Sequence, residues 1–203
     1  MIDPGFLLDL EQRFGILESV KGKLISQPDK ASEKLTVVMD ELYKMYSSLD
    51  DAIVSYLSVY FDSPENIAEG RRVLLDLEVG KAMIRINESR GHCHKIRNIY
   101  EAYLDKWFSR VLDSSETAGI RSLFDIWSDY DFNMLNAMFK VNEWLKTKAE
   151  DTLNAIENNN IQGANDIVRI ARGEVKQTRE FLTHAMNQLR VFQAEFIHMS
   201  KVV

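Results

Sequence analysis

From Ala164 onward, one apolar position follows another in alternating steps of four and three: Ala164, Val168, Ala171, Val175, Thr178, Leu182, Ala185, Leu189, Phe192, Phe196, Met199, Val203. That period winds along one side of an α-helix and has no counterpart on a strand, whose side chains alternate with period two. A seam kept in one register for over five heptads needs a long apolar partner. With nine glycines and three prolines among 203 residues, the chain has few tight-turn formers, so the partner is expected to be more helix rather than a sheet.

The rest of the chain meets that requirement. A first helix begins at Asp3-Pro4, with Asp3 as N-cap and Pro4 at the first helical position, and runs through Leu7, Leu10, Phe14, Leu17 and Leu24 to the break at Pro28. The second, about Ser32 to Phe61, carries Leu35, Met39, Leu42, Tyr46, Leu49, Ile53, Tyr56 and Tyr60. Ser63 and Pro64 start a third, whose seam is Leu75, Val79, Ala82, Ile86, Ser89, Cys93, Ile96, Tyr100, Tyr103 and Trp107, with Gly91 as the one place for a kink. The run Asp113-Ser-Ser-Glu116 reads as a capping box that reverses the chain. A fourth helix follows through Ile120, Phe124, Trp127, Asp131, Met134, Met138, Val141 and Leu145 to Asn158–Asn160.

The expected fold is therefore all-α: an elongated antiparallel bundle of about five helices. Residues 1–62 form an N-terminal helical hairpin packed on a long three-helix core of residues 63–203, together one continuous domain. The tryptophans Trp107, Trp127 and Trp144 are expected to pack the centre line.

Several function classes are set aside by composition. A net charge of -6 disfavours phosphate neutralisation, so nucleic acid is not expected as a partner. No apolar window is long enough to span a bilayer, so no membrane insertion is expected. A lone cysteine and no leader-like N-terminus lead to the expectation of a cytoplasmic setting. No Gly-rich phosphate loop, serine elbow or paired C-x-x-C occurs, and no cofactor is expected.

The chemically densest stretch is Ser89 to Tyr100, "SRGHCHKIRNIY". Successive helical residues point 100° apart, so His92, Cys93 and His94 cannot share one metal ion. Cys93 falls on the seam as a small buried hydrophobe. Asp131 also falls on a seam, and reversal near residue 113 places it opposite His94, Lys95 and Arg97. A carboxylate there needs a partner, which predicts a buried polar layer of Asp131 with His94 or Arg97.

"EFIH", Glu195 to His198, has the E-x-x-H spacing of di-iron bundles, but those need a second copy, so no metal is expected. "REFLTH", Arg179 to His184, resembles in spacing the R-x4-6-H motif of helical HEPN-type ribonucleases. That resemblance implies a dimeric ribonuclease with Arg179 and His184 at the scissile phosphate, assisted by Arg85 and His92.

The leading expectation is a non-enzymatic protein that works by association, with itself or as a scaffold subunit of a cytoplasmic assembly. The second helix supports this with an acidic face rich in Tyr43, Tyr46, Tyr56 and Tyr60, suited to a basic protein partner. The alternatives are the ribonuclease and a bundle that senses a small molecule near the Asp131 layer.

Overall fold

A computed structural model describes residues 4–27, 30–61, 71–128 and 134–199, and every regular element among them is helical. In chain order these are α1 (Pro4–Ser26), α2 (Lys30–Tyr56), α3 (Arg71–Ile99), α4 (Asp105–Val111), α5 (Ser114–Ser128), α6 (Met134–Glu157) and α7 (Ile161–Met199). A π-helical turn, Leu57–Phe61, ends α2, and a second, Tyr100–Leu104, joins α3 to α4. Asp3, Ser63, Pro64 and Asp131 lie outside the described residues.

The helices α2, α3, α6 and α7 form the four edges of a bundle: α2 lies between α3 and α7, and α6 closes the square on the other side. Neighbours run antiparallel. Asp50 of α2 meets Arg179 of α7, while Thr36 near the start of α2 meets Gln193 near the end of α7. Lys34 lies over the Tyr103 ring while Glu41, further along α2, meets His92. α1 joins at one end, against α4, α5 and α7 rather than along α2, and the Trp107 indole N–H donates to the Gln27 carbonyl at 3.3 Å.

The seams explain the burial. Every α7 position from Ala164 to Phe196 in the four-three series is buried, as is every seam residue of α2 from Leu35 to Tyr56, together with Tyr60. Each Leu, Ile or Phe so withdrawn from water contributes about 1.5–3 kcal/mol. At the α4/α5 end the filling is aromatic: Tyr100 stacks on Phe124 at 4.6 Å between ring centroids, and Phe124 meets Trp127 edge-on at 5.3 Å. Trp107 and Trp127 are fully enclosed, and Trp144 packs against the core from its edge.

Local chemistry fixes the boundaries. Asp113 Oδ1 accepts from the backbone N–H of Ser115 and Glu116, and Glu116 Oε2 accepts from the Asp113 N–H at 3.1 Å, a complete capping box at the start of α5. At the α6–α7 turn Asn159 adopts φ 56°, a left-handed conformation that asparagine tolerates. Asn160 then caps α7 by accepting from the Gly163 N–H at 2.9 Å.

Two details differ from the sequence expectation. α3 runs uninterrupted through Gly91, and the irregularity falls instead at Tyr100–Leu104. The π turn holds one extra residue, so the core step after Tyr100 is four rather than three: Leu104 is buried where Tyr103 was expected, and Tyr103 is exposed.

Candidate functional site

α3 is apolar on two opposite sides. Leu75, Ala82, Ile86, Cys93 and Ile96 face the bundle and are buried. On the far side Val73, Leu77, Gly80, Ile84, Asn87 and Gly91 recur in steps of four and three, a second heptad seam. Its large members stand in solvent: Val73 is 72%, Leu77 53% and Ile84 60% exposed, with Leu74 beside them. Single exposed apolar residues are ordinary, but an in-register row of them is the mark of a contact surface. A Cβ added to Gly80 would meet nothing within 4 Å, so another backbone has room to approach there.

On the α2 side of the same helix lies the polar centre of the molecule. Glu41, 3% exposed, accepts from His92 Nδ1 at 2.5 Å, Lys95 Nζ at 2.7 Å and Lys44 Nζ at 3.1 Å. Burial works against its ionisation, but the hydrogen bonds from Lys95, His92 and Lys44 outweigh it and hold the pKa down to about 2. Behind this cluster the Cys93 thiol lies 4.0 Å from the Met45 sulfur. The arrangement clamps α2 to α3 and fixes their register.

No known protein family, no curated protein and no solved structure matches the chain. The reading of the site therefore rests on its own chemistry.

The residues singled out in the sequence are placed as follows. His94 is exposed, Arg97 pairs with Glu101 one turn along at 3.0 Å, and Asp131 lies outside the described residues. Two side chains of the 89–100 stretch, His92 and Lys95, converge on a carboxylate of another helix, Glu41 of α2. Its position was a usable signal, since Glu41 is three residues from Val38 and four from Met45, both in the core.

The tyrosines are a correction. Tyr46, Tyr56 and Tyr60 are buried instead of forming an outer face, because they occupy the seam positions that α2 turns toward α3, α6 and α7. Tyr56 OH donates to Asn142 Oδ1 at 3.0 Å. Tyr43 alone of the four reaches the surface, half-buried under the Arg190 guanidinium, 3.9 Å from its ring centroid.

Arg179 is held by Asp50 at two points, Nε to Oδ1 at 2.7 Å and Nη2 to Oδ2 at 3.1 Å. It borders a groove of about 560 Å³ with Leu57, Arg172, Val175, Lys176, Glu180 and Thr183. His184 is exposed and, five residues on, points about 140° away around α7. The two do not share a cleft in one chain. Lys176 pairs with Glu180 at 3.8 Å, so the groove's charges are answered locally.

Glu195 is engaged by Lys21 of α1, and His198 is exposed. No group of three or more potential metal ligands occurs among the described residues. Nor is any helix there long and apolar enough to cross a membrane. An interior cavity beside Asn142, Ser48 and Met138, of about 10 Å³, has room for no more than a water molecule.

Proposed function

We propose that this protein is a non-enzymatic helical subunit that acts by association, and that the outer seam of α3 is its contact surface within a cytoplasmic assembly. The observation that carries the reading is the row Val73, Leu77, Ile84, exposed in register on the side of α3 opposite its core face. A helix that folds this bundle needs one apolar side, and the second has no work to do within the fold.

The polar groups favour the same reading over catalysis. His92 and Lys95 both bind Glu41, and Arg179 is answered by Asp50, so the ionisable groups with the strongest partners serve packing.

The test compares the wild-type chain with Leu77→Glu/Ile84→Glu, each purified from its own host under native conditions and sized by light scattering. The wild-type chain is expected in a stoichiometric particle larger than its 23.5 kDa mass, and the variant at the monomer mass with unchanged helicity. Equal masses for the two proteins would overturn the reading.

A further inference from the structure

Resting on the reading above, we infer that the outer seam of α3 is occupied by the same seam of a second copy of this chain, the two helices lying parallel about a two-fold axis along their length.

The argument is one of register and charge. With Leu77 and Ile84 at the a positions, Gly80 and Asn87 fall at d, and the residues flanking the seam are Asp76 and Met83 at g and Leu74, Lys81 and Glu88 at e. Parallel pairing brings position g of one helix to position e of the next heptad on its partner, five residues further on. Asp76 then meets Lys81 of the other copy, and two-fold symmetry repeats the pair on the opposite side. Antiparallel pairing instead joins g to g and e to e; with Leu77 layered on Gly80 and Ile84 on Val73, it sets Asp76 beside Met83 and Lys81 beside Leu74, so neither charge finds a partner across the seam. Charge thus selects the parallel arrangement.

The side chains have the freedom to do this. Asp76 is exposed and has no ion pair among the described residues. Lys81 is exposed and donates to Glu78 at 2.5 Å, leaving two of its three N–H donors for a partner. Arg72 does not compete for Asp76, because it reaches across to α6, to Glu157 at 2.6 Å and Asn154 at 2.7 Å. In the parallel register Gly80 meets Gly80, which lets the backbones approach closely, and Asn87 meets Asn87, a polar layer of the kind that fixes alignment. The seam is short, so the dimer is concentration-dependent rather than permanent.

The experiment is sedimentation equilibrium of the purified full chain across a wide concentration range. A monomer–dimer equilibrium is expected, abolished by Leu77→Glu with circular dichroism unchanged. Asp76→Lys and Lys81→Asp are each expected to weaken association about tenfold, because each sets two like-charged pairs across the seam. An equimolar mixture of those two variants restores it, since both crossing pairs are then opposite in sign.

Leu77→Cys and Ile84→Cys, made singly, are both expected to cross-link under mild oxidation. An antiparallel dimer allows self-cross-linking at no more than one of them, so cross-linking at one site alone overturns the parallel arrangement. If the purified chain stays monomeric at all concentrations while the particle isolated from its host is lost in the Leu77→Glu/Ile84→Glu variant, the second copy is ruled out and the association reading stands. If the host particle is also unchanged, both fall.

Discussion

Glu41 of α2 and His92 of α3 lie 2.5 Å apart, oxygen to nitrogen, in a region of the bundle where the carboxylate is almost wholly enclosed. Lys95 and Lys44 complete its shell. An enclosed carboxylate with three donors holds its helices in one register only while all of its lone pairs are answered. Replacing it by an amide keeps the shape and removes the charge. Glu41→Gln is therefore expected to lower stability by about 1–3 kcal/mol in urea unfolding. A change within a few tenths would mean that Lys95 and His92 gain as much from water as from Glu41.

The same carboxylate sets an acid limit. Its folded pKa, near 2, lies below the ordinary value of 4.5, so the stabilisation is fully present above about pH 4.5 and is lost as pH falls toward 2. The stability gap between wild type and Glu41→Gln is expected to shrink by more than half between pH 6 and pH 3. Urea midpoints at both pH values measure this, and a gap that stays constant would contradict it.

Two buried tyrosines on α2 are expected to respond in opposite directions to loss of the hydroxyl. Tyr56 donates to Asn142, which is itself buried, so Tyr56→Phe strands the acceptor and costs about 1–3 kcal/mol. The Tyr46 hydroxyl is buried with no hydrogen-bond partner among the described residues. Tyr46→Phe removes an unpaired polar group and is expected to be neutral or stabilising. Thermal unfolding of the two single variants reads the sign directly.

Two glycines of α7 make a similar pair. Around Gly173 a Cβ meets nothing within 4 Å, so Gly173→Ala is expected to stabilise by about 0.5–1 kcal/mol through helix propensity. At Gly163 a Cβ would run into the Asn160 side-chain amide, displacing the group that caps the helix. Gly163→Ala is expected to destabilise by about 1 kcal/mol. Chemical unfolding of both variants in parallel decides the signs.

Much of the bundle is legible because burial follows a local period. The α7 and α2 seams need no knowledge of neighbours, and the capping box at Asp113 is a four-residue pattern whose partners are all within reach. The polar centre is not local. Folding the chain back on its nearest hairpin directs the 89–100 stretch toward Asp131, which lies outside the described residues, but α3 also lies along α2, which precedes it, and Glu41 reaches His92 across 51 residues. Chain adjacency is a weak guide when each helix of a square bundle touches two others. The outer seam of α3 is written in the sequence as Val73, Leu77 and Ile84, three large residues only, against the longer stripe that the opposite face turns to the core. The expected tyrosine surface failed for a related reason: residues counted by type on α2 were the same ones that its seam had already committed to the interior.

The π turn at Tyr100–Leu104 has a consequence for how this chain tolerates a change in length. Deleting one residue from an ordinary stretch of α3 rotates everything after it by about 100° and turns Trp107 and Phe108 out of the interior. Within Tyr100–Leu104 the helix already holds one residue more than its two ends require. Loss of the exposed Ala102 would close the turn into plain α-helix and keep Leu104, Trp107 and Phe108 on the same side as Cys93 and Ile96. The joint between α3 and α4 is thus the point where the helix has a spare residue, able to shorten without refacing either half.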